Sequence, residues 1–143
     1  MGAKKKIWTD ELSIGNVRID NDHKKLLEVY DDLVDLIEHN GSNEDFAKIL
    51  SKMTDYVFKH LKNEEKYMEE FGYPKLKEHQ QFHRNYNYKV SMYNFNLLGS
   101  NPPNPHEIIE YIREWWINHI LKHDIDYENY RNSIGSDVSY DSF

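Results

Sequence analysis

Eight histidines fall within 143 residues, and their spacing carries more information than their number. His60 and Glu64 stand four apart, as do His79 and His83. His119 is followed by His123 four positions on and by Asp124 five positions on. Residues four apart on a helix project from one face, so each of the first two pairs can offer two donor atoms to the same ion. With His23 the set comes to five imidazoles and two carboxylates, too many for one metal and a natural complement for two. Imidazole with carboxylate suits iron, manganese or zinc more than copper(I). The chain has no cysteine, which removes thiolate ligands, iron–sulfur clusters and disulfides from consideration.

Coordination numbers sharpen this. Two octahedral ions offer about twelve positions. Five imidazoles fill five, two bridging carboxylates four, and one bridging oxygen from solvent two. One position is left over for a small ligand, and an open position is what separates a reactive site from a structural one. The second carboxylate is the unsettled member. Five residues on a regular helix turn Asp124 by about 140° from His119, so spacing alone slightly favours His123. Asp124 requires a locally widened turn such as a π-bulge, a feature often found at functional sites.

The elements that must position these residues are helices. Periodicity predicts four: about Asp20 to His39, ending at Asn40-Gly41; about Asn43 to Phe71, opened by a Ser42/Asp45 capping pattern and closed by Gly72-Tyr73-Pro74; about Lys75 to Leu98, broken by Gly99-Ser100-Asn101-Pro102-Pro103; and Pro105 to about Arg131. Short connections make neighbours antiparallel, so the expected fold is all-α, an up-down-up-down four-helix bundle forming a single domain over residues 1–143. Residues 1–19 read as an N-terminal arm whose Trp8, Leu12, Ile14, Val17 and Ile19 can pack on the bundle. The tail from Asn132 reads as polar and frayed, with Tyr140 and Phe143 as the residues able to dock.

Positions alternately three and four apart form the buried stripe of a bundle helix. These stripes read His23, Leu26, Tyr30, Leu33, Ile37; Met53, Val57, His60, Glu64, Met68, Phe71; Leu76, His79, His83, Tyr86, Val90, Tyr93, Leu97; and Ile108, Ile112, Trp115, His119. A lone histidine on such a stripe is ordinarily a satisfied core residue. Five of them with a glutamate would face several uncompensated desolvation costs unless a metal held them.

Height along the bundle gives an independent check. His23 lies 16 residues before His39 and His60 lies 17 after Asn43; Glu64 lies 7 before Phe71, with His79 and His83 4 and 8 after Lys75; His83 lies 15 before Leu98 and His119 14 after Pro105. Offsets of up to about four residues amount to about 6 Å of rise, so every candidate falls in one layer. His39 and His106 sit at helix ends and read as solvated or capping residues.

With these residues laid out, the sequence resembles the hemerythrins, in particular the single-domain bacterial members. The likeness runs from about Ile7 to Tyr130. It includes Trp8, Ile19-Asp20-Asn21-Asp22-His23, His60 with Glu64, Glu65 through Met68 to Gly72-Tyr73-Pro74, His79, His83, and Trp115 to Ile120 leading to Asp124. Four-helix bundles with short loops include myohemerythrin. The resemblance implies that His79, His83 and His119 hold one iron, His23 and His60 the other, and Glu64 and Asp124 bridge them with an oxo or hydroxo group. It thereby decides for Asp124 over His123. It further implies reversible dioxygen binding at the two-histidine iron, with dioxygen held as hydroperoxide. Trp115 and Ile120 match positions lining the oxygen pocket, and Trp116 stands where the family usually carries leucine.

The function expected is thus an oxygen carrier or store rather than an enzyme, monomeric and cytoplasmic, passing oxygen to an unidentified recipient. The alternatives are a diiron enzyme reducing peroxide or nitric oxide, a sensor acting through a separate partner, and a structural or iron-storing bundle. A net charge of −7 argues against nucleic acid as a partner. No run of eighteen apolar residues is present, and the basic trio Lys4 to Lys6 is not followed by the apolar stretch of a signal peptide.

Overall fold

The computed structural model describes residues 7–141; Lys4 to Lys6 and Phe143 lie outside that span. Four antiparallel helical rods form the bundle: α1 (Val17–Glu38), α2 (Asn43–Glu70), α3 (Leu76–Asn96), and a fourth made of α4 (Pro105–His119), a π turn (Ile120–Asp124) and α5 (Ile125–Ser133). α1 packs on α2 and α4, and α3 packs on the same two, which closes the bundle. No strand occurs among the described residues, and none of their helices is long and apolar enough to cross a membrane.

The helix ends follow the local chemistry. Asn16 caps α1 by accepting from the backbone N–H of Arg18 and Ile19, so the helix starts at Val17, ahead of the position periodicity predicts. Val17 is consequently 74% exposed and plays no part in packing the arm. Ser42 accepts from Asp45 N at 3.1 Å, as its capping pattern predicts. α2 ends in a Schellman motif: Tyr73 N–H bonds Met68 O at 2.9 Å and Gly72 N–H bonds Glu69 O at 3.1 Å, with Gly72 at φ +76°. α1 closes the same way, with Asn40 rather than a glycine in the left-handed position at φ 55°.

The core of Leu, Ile, Val, Met and aromatic side chains runs the length of the bundle, each large side chain contributing about 1.5–3 kcal/mol on burial. Ile7, Leu12, Ile14 and Ile19 join it from the arm and the first turn of α1. The arm is tied down where Ser13 Oγ (2.5 Å) and Ile14 N (3.0 Å) both donate to the Asp20 carboxylate. On α4 the stripe differs from the expected one. Trp116 is fully buried, on a face with Ile108, Ile109 and Ile112, while Trp115 is only partly covered. Centring the buried stripe on Ile109, Ile112, Trp116 and His119 keeps the three-and-four spacing and places the larger unbroken apolar surface inside. The tail is not frayed over its described part, because Tyr140 is 1% exposed.

Candidate metal centre

One layer of the bundle gathers His23 from α1, His60 and Glu64 from α2, His79 and His83 from α3, His119 from α4 and Asp124 from the π turn, all buried. Two overlapping groups can each hold a metal ion: Glu64, His79, His83 and His119, and His23, His60 and Glu64. His39 and His106 are exposed at helix ends.

Asp124 reaches the layer through the π turn. Ile125 N–H bonds Ile120 O, an i→i+5 bond that inserts one extra residue and carries the aspartate onto the face of His119. His119 Nε2 and Asp124 Oδ1 are then 3.1 Å apart. His123, the alternative by spacing, is turned outward and lies against Phe82 at a ring distance of 4.1 Å. The widened turn that Asp124 requires is therefore present, and it removes His123 from the cluster.

The two carboxylates divide their oxygens between the histidines. Glu64 Oε2 faces His60 Nε2 (3.1 Å) and His23 Nε2 (3.5 Å), while Oε1 faces His83 Nε2 (3.4 Å) and His79 Nε2 (4.0 Å). Asp124 Oδ2 faces His23 Nε2 (3.3 Å), and Oδ1 faces His79 and His119 Nε2 (3.1 Å each). Despite these distances, the Nε2 atoms of His23, His60 and His79, Glu64 Oε1 and both Asp124 oxygens make no hydrogen bond. They approach side by side, as donors around a common cation do, and the set of nitrogen and oxygen donors fits non-haem iron.

Electrostatics point the same way. Burial disfavours charge on His60, but Glu64, with Asp22 and Asp124 behind it, outweighs burial and raises its pKa to about 10. His23 and His83 are also raised against burial, by Asp124 and Glu64 in the first case and by Glu64 and Glu65 in the second. His119 goes down to about 4, because burial combined with its neighbours His79 and His83 outweighs Asp124. Glu64 and Asp124 are held below the usual carboxylate range in spite of burial, by His60, His23 and His83 for the first and by His119 and His23 for the second. Two ionised carboxylates in a dry layer demand positive charge, which protons or a metal can supply.

A family model described as the hemerythrin HHE cation binding domain matches residues 15–128. The chain belongs to the hemerythrin family. A bacteriohemerythrin from Clostridium acetobutylicum is 28% identical over 125 residues, covering 85% of this chain and 97% of that relative. One from Pseudomonas aeruginosa is 28% identical over 121 residues, covering 85% and 78%. Among solved structures, a wild-type hemerythrin superposes with a TM-score of 0.76 at 27% identity over 84% of this chain and 92% of that one. A hemerythrin variant with one leucine changed to tyrosine gives 0.78 at 26% identity over 89% and 95%.

Around the seven residues that spacing and the resemblance together single out, the chain places partners that neither revealed. His83 Nδ1–H donates to Glu65 Oε2 at 2.7 Å, Tyr127 Oη–H donates to Glu64 Oε2 at 3.0 Å, and Asp22 and Tyr140 flank His60 Nδ1. Glu65 and Asp22 are each the immediate chain neighbour of a predicted site residue, which was an available signal. For Tyr140 the sequence marked only an aromatic able to dock and nothing that tied it to the site, since it arrives from a tail without periodicity.

The three residues expected to line an oxygen pocket divide. The Trp116 ring lies 6.0 Å from His23 and 6.1 Å from His60, against the two-histidine side. Trp115 stacks on His119 at 4.2 Å and 12°, on the other side, and Ile120 is fully buried.

Proposed function

We propose that this cluster holds two iron ions, one bound by His79, His83 and His119 and the other by His23 and His60, bridged by Glu64, Asp124 and an oxo or hydroxo group. We further propose that the protein binds dioxygen reversibly, as a carrier or store. One observation carries the reading: each carboxylate gives one oxygen to the pair His23/His60 and the other to the trio His79/His83/His119. A single ion would draw its donors to one point, whereas both carboxylates here face two.

Held by these residues, an iron pair would supply the redox chemistry that reversible dioxygen binding requires. The protein's part is to hold, orient and exclude. The two-histidine side has fewer protein ligands, so the open position falls there. Trp116, fully buried against both of its histidines, covers that side with apolar surface and keeps out water. Tyr127 fixes the bridging Glu64 through its hydroxyl.

The test is metal analysis of protein from iron-supplied cells, with optical spectra of the reduced protein before and after air. Two irons per chain and an oxygen-dependent band that disappears under vacuum are expected. A reproducible one-metal or zinc-only protein sinks the diiron reading. Turnover with added reductant in place of oxygen release would assign an enzyme.

A further inference from the structure

The described tail after α5 is held in place by two arginines. Arg131 donates to Val138 O through Nε (2.9 Å) and Nη2 (2.7 Å), and Arg18, at the start of α1, donates to Tyr140 O at 3.1 Å. Between these clamps the chain delivers Tyr140 into the bundle, where its ring packs 6.1 Å from His60 and 5.6 Å from Tyr67. The family match ends at residue 128, so this phenol comes from a segment beyond it.

Its hydroxyl has two close partners: Asp22 Oδ2 at 2.7 Å and His60 Nδ1 at 2.9 Å. The carboxylate can only accept, so the single phenol proton goes to Asp22. The contact with His60 must then run the other way, with Nδ1–H donating to the phenol oxygen. Asp22 Oδ2 itself is more distant from that nitrogen, at 3.4 Å. In the neutral imidazole that a metal ligand must be, this arrangement selects one tautomer. With the proton kept on Nδ1, the lone pair is on Nε2, which is the atom turned toward Glu64 Oε2.

We propose that Tyr140 is a positioning residue for His60, carried in by the tail, and that the relay His60 Nδ1–H to Tyr140 Oη–H to Asp22 keeps His60 Nε2 bare and aimed at the metal layer. The inference rests on the reading that His60 holds a metal. Hydrogen-bond partners of this kind orient a ligating imidazole and raise its basicity, and losing one commonly costs about 10–100-fold in metal affinity. His83 has its equivalent in Glu65, from the neighbouring turn of α2. For His60 the partner is brought from a segment 80 residues away.

The test uses the full chain loaded with zinc, which is diamagnetic, and compares wild type with Tyr140→Phe, which retains the ring and loses only the hydroxyl. In wild type, histidine nitrogen NMR is expected to show His60 coordinated through Nε2 with a slowly exchanging Nδ1 proton. In Tyr140→Phe that proton should exchange fast, and zinc should leave to a chelator about 10–100-fold faster. Tyr67→Phe is the control: it loses an equally buried phenol hydrogen bond, to Glu128 at 2.7 Å, without touching a histidine. It should lower thermal stability and leave zinc release unchanged. If Tyr140→Phe behaves like Tyr67→Phe, with the His60 proton and zinc release as in wild type, Tyr140 is packing and the proposal is overturned while the metal reading stands. If wild-type His60 is not coordinated at all, both fall.

Discussion

The two sides of the metal layer are built differently. On the three-histidine side the rings crowd together, His79 to His83 and to His119 at 4.6 Å and His83 to His119 at 5.1 Å. That side communicates with solvent. His83 is tied to Glu65, whose side chain is 27% exposed, and His79 borders a surface hollow of about 250 Å³ shared with Phe82, Lys122 and His123. On the other side His23 and His60 are wholly buried, their rings 4.9 Å apart, beneath Trp116 and beside Tyr140 and Asp22. The side better supplied with imidazoles is the side nearer water, and the side with fewer is sealed by aromatic rings. Under the diiron reading proposed above, a small ligand on the sealed side would meet little competition from water, while the other iron would take three imidazoles and two carboxylate oxygens from the protein.

The comparison can be broken most severely through the groups the sides share. Asp124→Ala removes one oxygen from each side at once and should bring the metal content from two per chain toward zero after dialysis against a chelator. Retention of both ions by that variant would mean that the carboxylates do not bridge.

Removing the metal from wild type comes next. Ligand linkage of about 4 kcal/mol, reached at a thousandfold excess over the dissociation constant, corresponds to a fall in Tm on the order of 10 °C for a chain of this size. The sides should separate in the kinetics, with the two-histidine metal lost first and the three-histidine metal later. Release in a single phase, followed by stopped-flow with a chromophoric chelator, would erase the distinction.

Trp116→Leu sharpens the comparison by thinning the seal on one side only. Both oxygen binding and conversion to the inactive diferric state should speed up, with a stability loss of about 1–3 kcal/mol for the smaller side chain in a filled core. Stopped-flow oxygen binding and the autoxidation half-life, wild type beside variant, decide it. Unchanged rates with lower stability would make the indole core filler.

The smallest effect is expected from His123→Ala. Its ring lies on Phe82 outside the cluster, so metal content and the oxygen-dependent band should stay as in wild type. Loss of a metal in this variant would restore His119 and His123 as an i, i+4 ligand pair and require the bridging scheme to be redrawn.

The sequence by itself determined the four helices, their order and the layer in which the candidate residues meet. Those features rest on local signals: periodicity, the Ser42 cap, the Gly72 and Asn40 left-handed ends, and counting residues from each turn at 1.5 Å of rise. It also named six of the seven members of the cluster, because five histidines and a glutamate on apolar stripes at one height have no other common explanation; Asp124 came from the resemblance. Spacing alone could not choose between His123 and Asp124, since a π turn is a choice of backbone hydrogen bonds that the whole rod makes when packed. Nor could it turn Trp116 inward and Trp115 partly out, because both positions border the same stripe and the neighbouring Tyr86, His23 and His60 fill the space that decides. Tyr140 was the least legible of all. Its burial depends on Arg18, Arg131, Asp22 and His60, contacts between residues up to 122 positions apart, and a pairing of that range leaves no local periodicity in the chain. Only tertiary structure brings such groups together, because the free energy that places them is gained when the bundle is already formed.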